Sequence, residues 1–152
     1  EADFYIKLNK MDEFGKLMVD AVKVDPNNPV LFYNLGVVNQ KQNRTEDAKA
    51  NYKKAIELDP NYVDAYMNLA ITILDGETKI IEEMNKNLNN FKKYDALEAQ
   101  QKELYKEALP YLEKADAIKR SLDTVKTLLN IYEVLEMEEK AVEFRALRKS
   151  MK

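Results

Sequence analysis

The sequence predicts an all-α protein built from stacked antiparallel helix pairs, and three observations favour this fold. First, matching residues recur along the chain at an interval of 34. Second, apolar residues keep the three- and four-residue spacing of amphipathic helices, and Asp-Pro pairs end these segments. Third, only 3 glycines and 4 prolines occur in 152 residues, of which 45% are hydrophobic and 34% charged, as is typical of a helix-rich globular domain.

The clearest unit, residues 29–62, is predicted to form two helices that pack against each other. The residues expected at their contact are Phe32, Leu35, Gly36, Ala48, Tyr52 and Ala55. Gly36 allows the two backbones to approach closely, and Tyr52 fills the volume beside it. Asp59 and Pro60 end the second helix, because proline cannot continue a helix and disfavours helical geometry in the residue before it.

This spacing resembles the tetratricopeptide repeat, whose period is 34 residues. A shift of 34 carries Asp25 and Pro26 onto Asp59 and Pro60. The resemblance implies a right-handed α-solenoid, because a short helix hairpin must stack on a neighbour to bury its remaining apolar side. It also implies a protein-interaction scaffold.

We interpret residues 1–152 as one such domain with four repeats. They are a partial repeat (1–28), a well-formed repeat (29–62), an extended repeat (63–121) and a degenerate C-terminal repeat (122–152). In the partial repeat, Ala2 and Tyr5 are expected late in a first helix, and residues 11–24 form the second. In the well-formed repeat, Asn39 stands where the family usually has tyrosine.

The extended repeat contains an insertion of 26 residues, because its second half matches the well-formed repeat at a shift of 60. Apolar residues keep helical spacing through the insertion. We therefore predict that both helices are lengthened into a helical finger at residues 76–104, with its turn near 87–93. A flexible loop is the alternative.

Local signals refine this prediction. Asp95 and Glu98 have the form of a capping box. Gly76 weakens the first arm of the finger, and Pro110 is expected to kink the second arm. In the C-terminal repeat, Arg145 and Arg148 are interpreted as a solvated cap, with a ligand site as the alternative.

The residue inventory argues against an enzyme. Histidine and cysteine are absent and serine occurs only at Ser121 and Ser150, so the usual nucleophile and base combinations are missing. The glycines are too far apart for a phosphate-binding loop. Adjacent carboxylates such as those of Glu82 and Glu83 diverge by about 100° on a helix and do not converge on one metal. No catalytic residue, cofactor or metal site is predicted.

Charge and hydropathy limit the classes of partner. The net charge is −3 with both signs interspersed, which disfavours nucleic acid. No apolar run approaches the roughly 18 residues of a membrane span, so membrane insertion is not expected. The chain begins without methionine and part-way through a repeat, so we expect that an upstream segment with any targeting signal is missing. The compartment stays open.

The resemblance implies that the first helix of each repeat lines a concave groove, which binds a peptide or helix of a protein partner. The residues in matching positions are Tyr33, Asn34, Val37, Gln40, Lys41, Asp64, Met67, Asn68, Ile71 and Leu74. The two asparagines donate amide hydrogen bonds either to a bound peptide or between repeats. Met67 and Ile71 are either core or contact residues.

Some members of the family bind a C-terminal carboxylate with basic residues and asparagines on successive first helices. Asn34 fits this pattern, whereas Asp3 falls where an asparagine is needed, and Asp64 and Asn68 fall where basic residues are needed. An acidic residue there repels a carboxylate, so this clamp is not expected.

The alternative function is structural assembly through the finger. Its apolar residues exceed what one two-helix contact can bury, and exposed apolar patches commonly mark contacts. The residues proposed for self-association into a homo-oligomer are Ile80, Ile81, Met84, Leu88, Phe91 and Tyr94.

Overall fold

The computed structural model describes residues 2–151, with side chains described for residues 10–151. The helices in this part of the chain are α1 (Ala2–Val24), α2 (Pro29–Lys41), α3 (Thr45–Leu58), α4 (Val63–Leu74), α5 (Glu77–Lys86), α6 (Phe91–Ile118), α7 (Leu122–Val134) and α8 (Glu138–Ser150). The described residues contain no β-strand. The predicted all-α fold of paired helices is confirmed.

The chain forms two compact units, the first ending at Thr72 and the second beginning at Ile73. In the first unit, α2 packs against both α1 and α3. In the second unit, α6 packs against α5 and α7, and α7 packs against α8. The division falls inside α4, and most of that helix belongs to the first unit.

The α2–α3 pair follows the prediction for the well-formed repeat. Asn28 caps α2 by accepting a hydrogen bond from the backbone nitrogen of Val30 at 3.1 Å, and Pro29 occupies the first turn, where it removes no helical hydrogen bond. Three residues connect the helices, so α2 and α3 run antiparallel. Asn43 adopts a positive φ of 58° in this connection, a conformation that asparagine tolerates better than most residues.

Of the residues expected at this contact, Phe32 and Leu35 are only half-buried, and the buried ones are Gly36, Ala48, Tyr52 and Ala55. Ala48, Tyr52 and Ala55 are each 0% exposed. A Cβ atom added to Gly36 would lie only 2.6 Å from Cε1 of Tyr52. The small residue is therefore required by the close contact between α2 and the Tyr52 ring.

The predicted division of residues 1–28 into two helices is wrong. The structure has one continuous helix from Ala2 to Val24. The side chains of Ala2, Asp3 and Tyr5 lie outside the described residues. No glycine or proline interrupts residues 2–14, so the local sequence offers no stop signal for a first helix.

The finger is helical, and its turn lies at residues 87–90, inside the predicted range. The expected lengthening of the first helix is wrong, however, because α4 ends at Leu74 and α5 is a separate helix. A tight turn separates them, in which the Gly76 nitrogen bonds the Ile73 oxygen at 3.3 Å. Glycine disfavours a continuous helix at this point.

The second arm is a single helix of 28 residues, about 42 Å long at 1.5 Å per residue. It begins at Phe91, and the Asn90 side chain caps it by accepting a hydrogen bond from the Lys93 nitrogen at 3.2 Å. The capping box predicted at Asp95 is therefore wrong, because that residue lies inside the helix. The helix continues through Pro110 without ending.

A hydrogen-bond network ties α5 to its neighbours in the second unit. The Tyr105 hydroxyl donates to the Glu77 carboxylate and accepts from Nδ2 of Asn130 on α7 at 3.1 Å. Burial, followed by the interaction with Glu77, raises the pKa of Tyr105 to about 12. The hydroxyl therefore stays protonated and connects three helices.

The α7–α8 pair begins with a capping box, in which Ser121 accepts from the Thr124 nitrogen at 3.1 Å. The Thr124 hydroxyl donates to the buried carboxylate of Asp116 at 2.9 Å. Arg145 forms ion pairs with Glu133 at 2.8 Å and Glu138 at 3.0 Å. These contacts give Arg145 a role within the α7–α8 pair.

Candidate functional site

A hydrogen bond joins the two helices of the first unit that carry most of the predicted groove residues, α2 and α4. The side-chain nitrogen of Asn68 donates to the Tyr33 hydroxyl at 3.1 Å, which places the middle of α4 beside the middle of α2. We call the predicted groove residues on α2 and α4 the α2–α4 surface.

Three of the candidates use their polar groups within the protein. Asn68 also reaches the Tyr52 hydroxyl at 3.5 Å, and that hydroxyl donates to Oε1 of Gln40 at 2.7 Å. The Tyr33 ring lies 5.9 Å from the Tyr52 ring and 5.1 Å from the Tyr62 ring, centroid to centroid. Of the two alternatives for Asn68, this geometry favours a hydrogen bond between helices.

The other candidates differ in exposure. Ile71 is 43% exposed, Lys41 and Asp64 are exposed, and Val37 and Met67 are half-buried. Asn34 is half-buried, and its amide makes no hydrogen bond to any residue that the structure describes. Asn34 therefore retains both donor and acceptor capacity for a partner.

Two neighbouring residues were not predicted. Val30, 49% exposed, lies four residues before Asn34 on the same face of α2, and helical spacing would have identified it. Tyr62 precedes α4 and stacks against Tyr33. Helical spacing does not indicate the contact between Tyr62 and Tyr33, because Tyr62 lies outside the helices.

The tyrosine cluster is held in its protonated form. Burial raises the pKa of Tyr52 to about 12, with a hydrogen bond from Asn68 acting in the opposite direction. Burial also raises the pKa of Tyr33 and of Tyr62, and the nearby Asp64 carboxylate adds to both shifts. These hydroxyls are therefore neutral hydrogen-bonding groups at physiological pH.

This cluster predicts loss of stability in alkali. A tyrosine whose folded pKa exceeds its unfolded value stabilises the fold fully below the unfolded pKa, and this contribution is lost as pH rises through the folded pKa. For Tyr52 the window runs from 10 to about 12. We expect the free energy of unfolding, measured with urea, to fall steeply across that window. The slope should be shallower for Tyr52→Phe, and an equal slope in both proteins would contradict this assignment.

The apolar residues of the finger lie on α5, on the turn and at the start of α6. Phe91 is 77% exposed, Leu88 61% and Ile81 40%. Ile80, Met84 and Tyr94 are half-buried. The three exposed side chains therefore present apolar surface around the end of the finger.

Residues 10–151 contain no group of three or more acidic, histidine or cysteine side chains arranged to hold a metal ion. None of the helices described combines the length and the apolar character that crossing a bilayer requires.

Comparison with known families identifies the repeats. A tetratricopeptide repeat model matches residues 29–62, and a second tetratricopeptide repeat model matches residues 51–101. The two matches overlap and together cover the α2–α3 pair, α4, α5 and the first part of α6.

Several curated proteins share part of this sequence. The human protein O-mannosyl-transferase TMTC3 is 31% identical over 99 residues, which are 64% of this chain and 11% of that protein. The peroxisomal targeting signal receptor of Kluyveromyces lactis is 37% identical over 67 residues, or 42% of this chain and 12% of that protein. The chain thus spans about a tenth of the length of these relatives.

A solved structure extends the comparison to most of the chain. The crystal structure of the MamA protein superposes with a TM-score of 0.62 at 19% identity, covering 93% of this chain and 64% of that one. At this level of identity the similarity shows a shared fold and nothing about ligands.

Proposed function

Because the chain belongs to the tetratricopeptide repeat family, we propose that it is a non-catalytic protein-binding module whose α2–α4 surface binds a peptide or a helix of a protein partner. Two observations about related proteins support protein binding in general. Members of the repeat family are commonly scaffolds, and one relative is named as a receptor for a targeting signal.

The observation that carries the proposal is the hydrogen bond between Asn68 and Tyr33 at 3.1 Å. It joins the middle of α4 to the middle of α2, and this contact supports one binding surface with residues from two successive repeats. Asn34 then supplies an amide without a partner among the described residues, while Val37 and Ile71 supply apolar surface. Such a combination suits recognition of a peptide backbone together with one or two apolar side chains.

Lys41 and Asp64 add charges of opposite sign to this surface. These residues therefore do not create an electrostatic potential of one sign, so we expect this surface to bind a strongly charged peptide poorly. We expect a partner segment of mixed or low charge, for which apolar contact supplies most of the affinity.

Site-specific crosslinking tests this proposal. A photoreactive phenylalanine analogue placed at Ile71 should capture a partner, whereas the same analogue at the exposed Lys53 of α3 should not. Once the captured segment is identified, Ile71→Asp and Asn34→Ala should each weaken its binding by about tenfold or more, measured by calorimetry. Circular dichroism should show unchanged helicity. Equal capture at both positions, or unchanged affinity in both variants, would exclude the α2–α4 surface.

A second candidate function is self-association through the finger, and the exposure of Phe91 and Leu88 favours it. Burial of the Phe91 ring would by itself remove a substantial apolar area from water. A symmetric contact between two fingers would cover both side chains at once, because a two-fold interface uses the same patch on both subunits.

Sedimentation velocity tests self-association. The double variant Leu88→Asn/Phe91→Asn should reduce the average mass relative to the unaltered chain at the same concentration. Leu17→Asn is the matched control, because Leu17 is a 63% exposed residue of α1 that is not part of the finger, and this variant should leave the mass unchanged. A mass that the double variant does not alter would end this hypothesis.

A further inference from the structure

A cavity of about 510 Å³ lies in the first unit, between α1 and α2 and beside the start of α3. Its apolar wall is formed by Gly15 and Val19 of α1 and by Leu35 and Val38 of α2. This volume falls within the range of about 300–1,000 Å³ typical of small-molecule sites. None of its lining residues belongs to the α2–α4 surface.

Asn39 explains why the cavity exists. It lines the cavity at the position where the family usually has tyrosine, and its smaller side chain leaves the volume of the ring unfilled. Gly15 borders the same space at a point where α1 and α2 approach closely, because a Cβ atom there would lie 3.0 Å from Cγ1 of Val38. The cavity is therefore a property of this sequence, which carries asparagine where the family usually has tyrosine.

The Asn39 amide is also unusual in its hydrogen bonding. The residue is only 7% exposed, yet its side chain makes no hydrogen bond to any residue that the structure describes. Each fully enclosed side-chain polar atom in that part of the chain has a partner, so the Asn39 amide faces the open volume of the cavity. A buried amide without a protein partner requires water or a ligand.

The charged side chains around the opening differ in whether they have a hydrogen-bond or ion-pair partner. The Asp12 carboxylate accepts a hydrogen bond from Gln42, and the Asp20 carboxylate pairs with Lys23 at 3.0 Å. Lys16 and Arg44 also line the cavity, and neither forms an ion pair within the part of the chain whose side chains are described. The two cations are therefore the charged groups of the lining whose side chains have no hydrogen-bond or ion-pair partner among the described residues.

We propose that this cavity binds a carboxylate attached to an apolar body small enough to enter it, such as a medium-length alkyl chain or a leucine side chain. The apolar body packs between Val19, Leu35 and Val38, and the Asn39 amide hydrogen-bonds a polar group of the ligand. The carboxylate lies at the opening, where Lys16 and Arg44 supply charge-assisted hydrogen bonds. A free carboxylic acid and the C-terminal residue of a peptide share this chemistry.

Calorimetric titration of the full chain with octanoate tests the proposal. Octanol and octylammonium have the same apolar body without the carboxylate, and each should bind about tenfold more weakly or worse. The peptide acetyl-Gly-Gly-Leu, compared with its C-terminal amide, forms the second arm. Tighter binding of octanoate assigns the site to free acids, and tighter binding of the peptide assigns it to peptide termini. No binding of either at millimolar concentration, or equal binding of octylammonium, would overturn the proposal.

Two kinds of variant locate the binding. Asn39→Tyr restores the usual residue of the family and fills the cavity, so it should abolish octanoate binding, whereas Asn85→Tyr on the exposed side of α5 should not. Arg44→Gln and Lys16→Gln leave the cavity open and should each weaken binding by several-fold, with Lys53→Gln as the matched control. Unchanged octanoate affinity in Asn39→Tyr, or in both charge variants, would refute this location.

Discussion

Replacing Tyr52 with alanine is expected to lower the free energy of unfolding by about 3–5 kcal/mol, the usual cost of removing a fully buried aromatic ring. Tyr52 is 0% exposed, and its ring lies 5.9 Å from the Tyr33 ring. Its loss opens a cavity between α2 and α3 and also removes the hydroxyl that Gln40 and Asn68 contact. Urea denaturation followed by circular dichroism measures the change.

A conservative variant separates the ring from the hydroxyl. Tyr52→Phe keeps the ring and should cost about 1 kcal/mol, because only the hydrogen bonds are lost. Lys53→Ala, at the neighbouring exposed position, should change stability by less than about 0.5 kcal/mol. If the alanine variant were as stable as the phenylalanine variant, the ring would not be the main contact between α2 and α3.

The parts of the fold that the sequence predicted well are those with a local stop signal. Asp59 and Pro60 end α3 at Leu58, because proline blocks a helix whatever surrounds it. The turn of the finger lies among the asparagines at residues 87–90, which favour turns for a similarly local reason. The repeat period and the helix-ending residues together therefore identify most of the helices.

The errors occur where no local signal decides. Residues 2–14 contain no glycine or proline, and the structure continues α1 through them, although the repeat period predicts a turn. A break in this region would need a neighbouring helix to bury the faces of both segments, and the sequence period cannot show whether one is present. Gly76 is the opposite case. The sequence predicts only that it weakens a helix, whereas in the structure it lies in the turn between the end of α4 and the start of α5.

The sequence predicts which helix positions form the α2–α4 surface, but it does not predict which of their polar side chains lack a hydrogen-bond partner within the protein. Spacing places Asn34 and Asn68 in equivalent positions. Only the structure shows that Asn68 donates to Tyr33 while Asn34 has no such partner among the described residues. The difference depends on which tyrosine hydroxyl lies nearby, and that is a property of tertiary packing. The cavity beside Asn39 was missed for the same reason.

Replacing Gly36 with alanine is expected to destabilise the chain by about 2 kcal/mol, within the usual range for overpacking. The added Cβ atom would lie 2.6 Å from Cε1 and 2.7 Å from Cδ1 of Tyr52. That ring is buried, and its hydroxyl donates to Gln40 at 2.7 Å, so it cannot move away without losing contacts. Gly76→Ala is the matched control. The nearest atom to its Cβ would be 3.5 Å away, and we expect a change below about 1 kcal/mol.

The cause of this cost can be isolated in the Tyr52→Ala background. Once the ring is absent, the Cβ atom at position 36 meets none of the three nearest atoms that block it, all of which belong to Tyr52. Alanine then has only its helix-propensity advantage over glycine, about 1 kcal/mol, so Gly36→Ala should become stabilising. A double-mutant cycle in urea measures this reversal of sign. A cost that stayed near 2 kcal/mol without the ring would mean that Gly36 is required for the backbone conformation of α2 and not for contact with Tyr52.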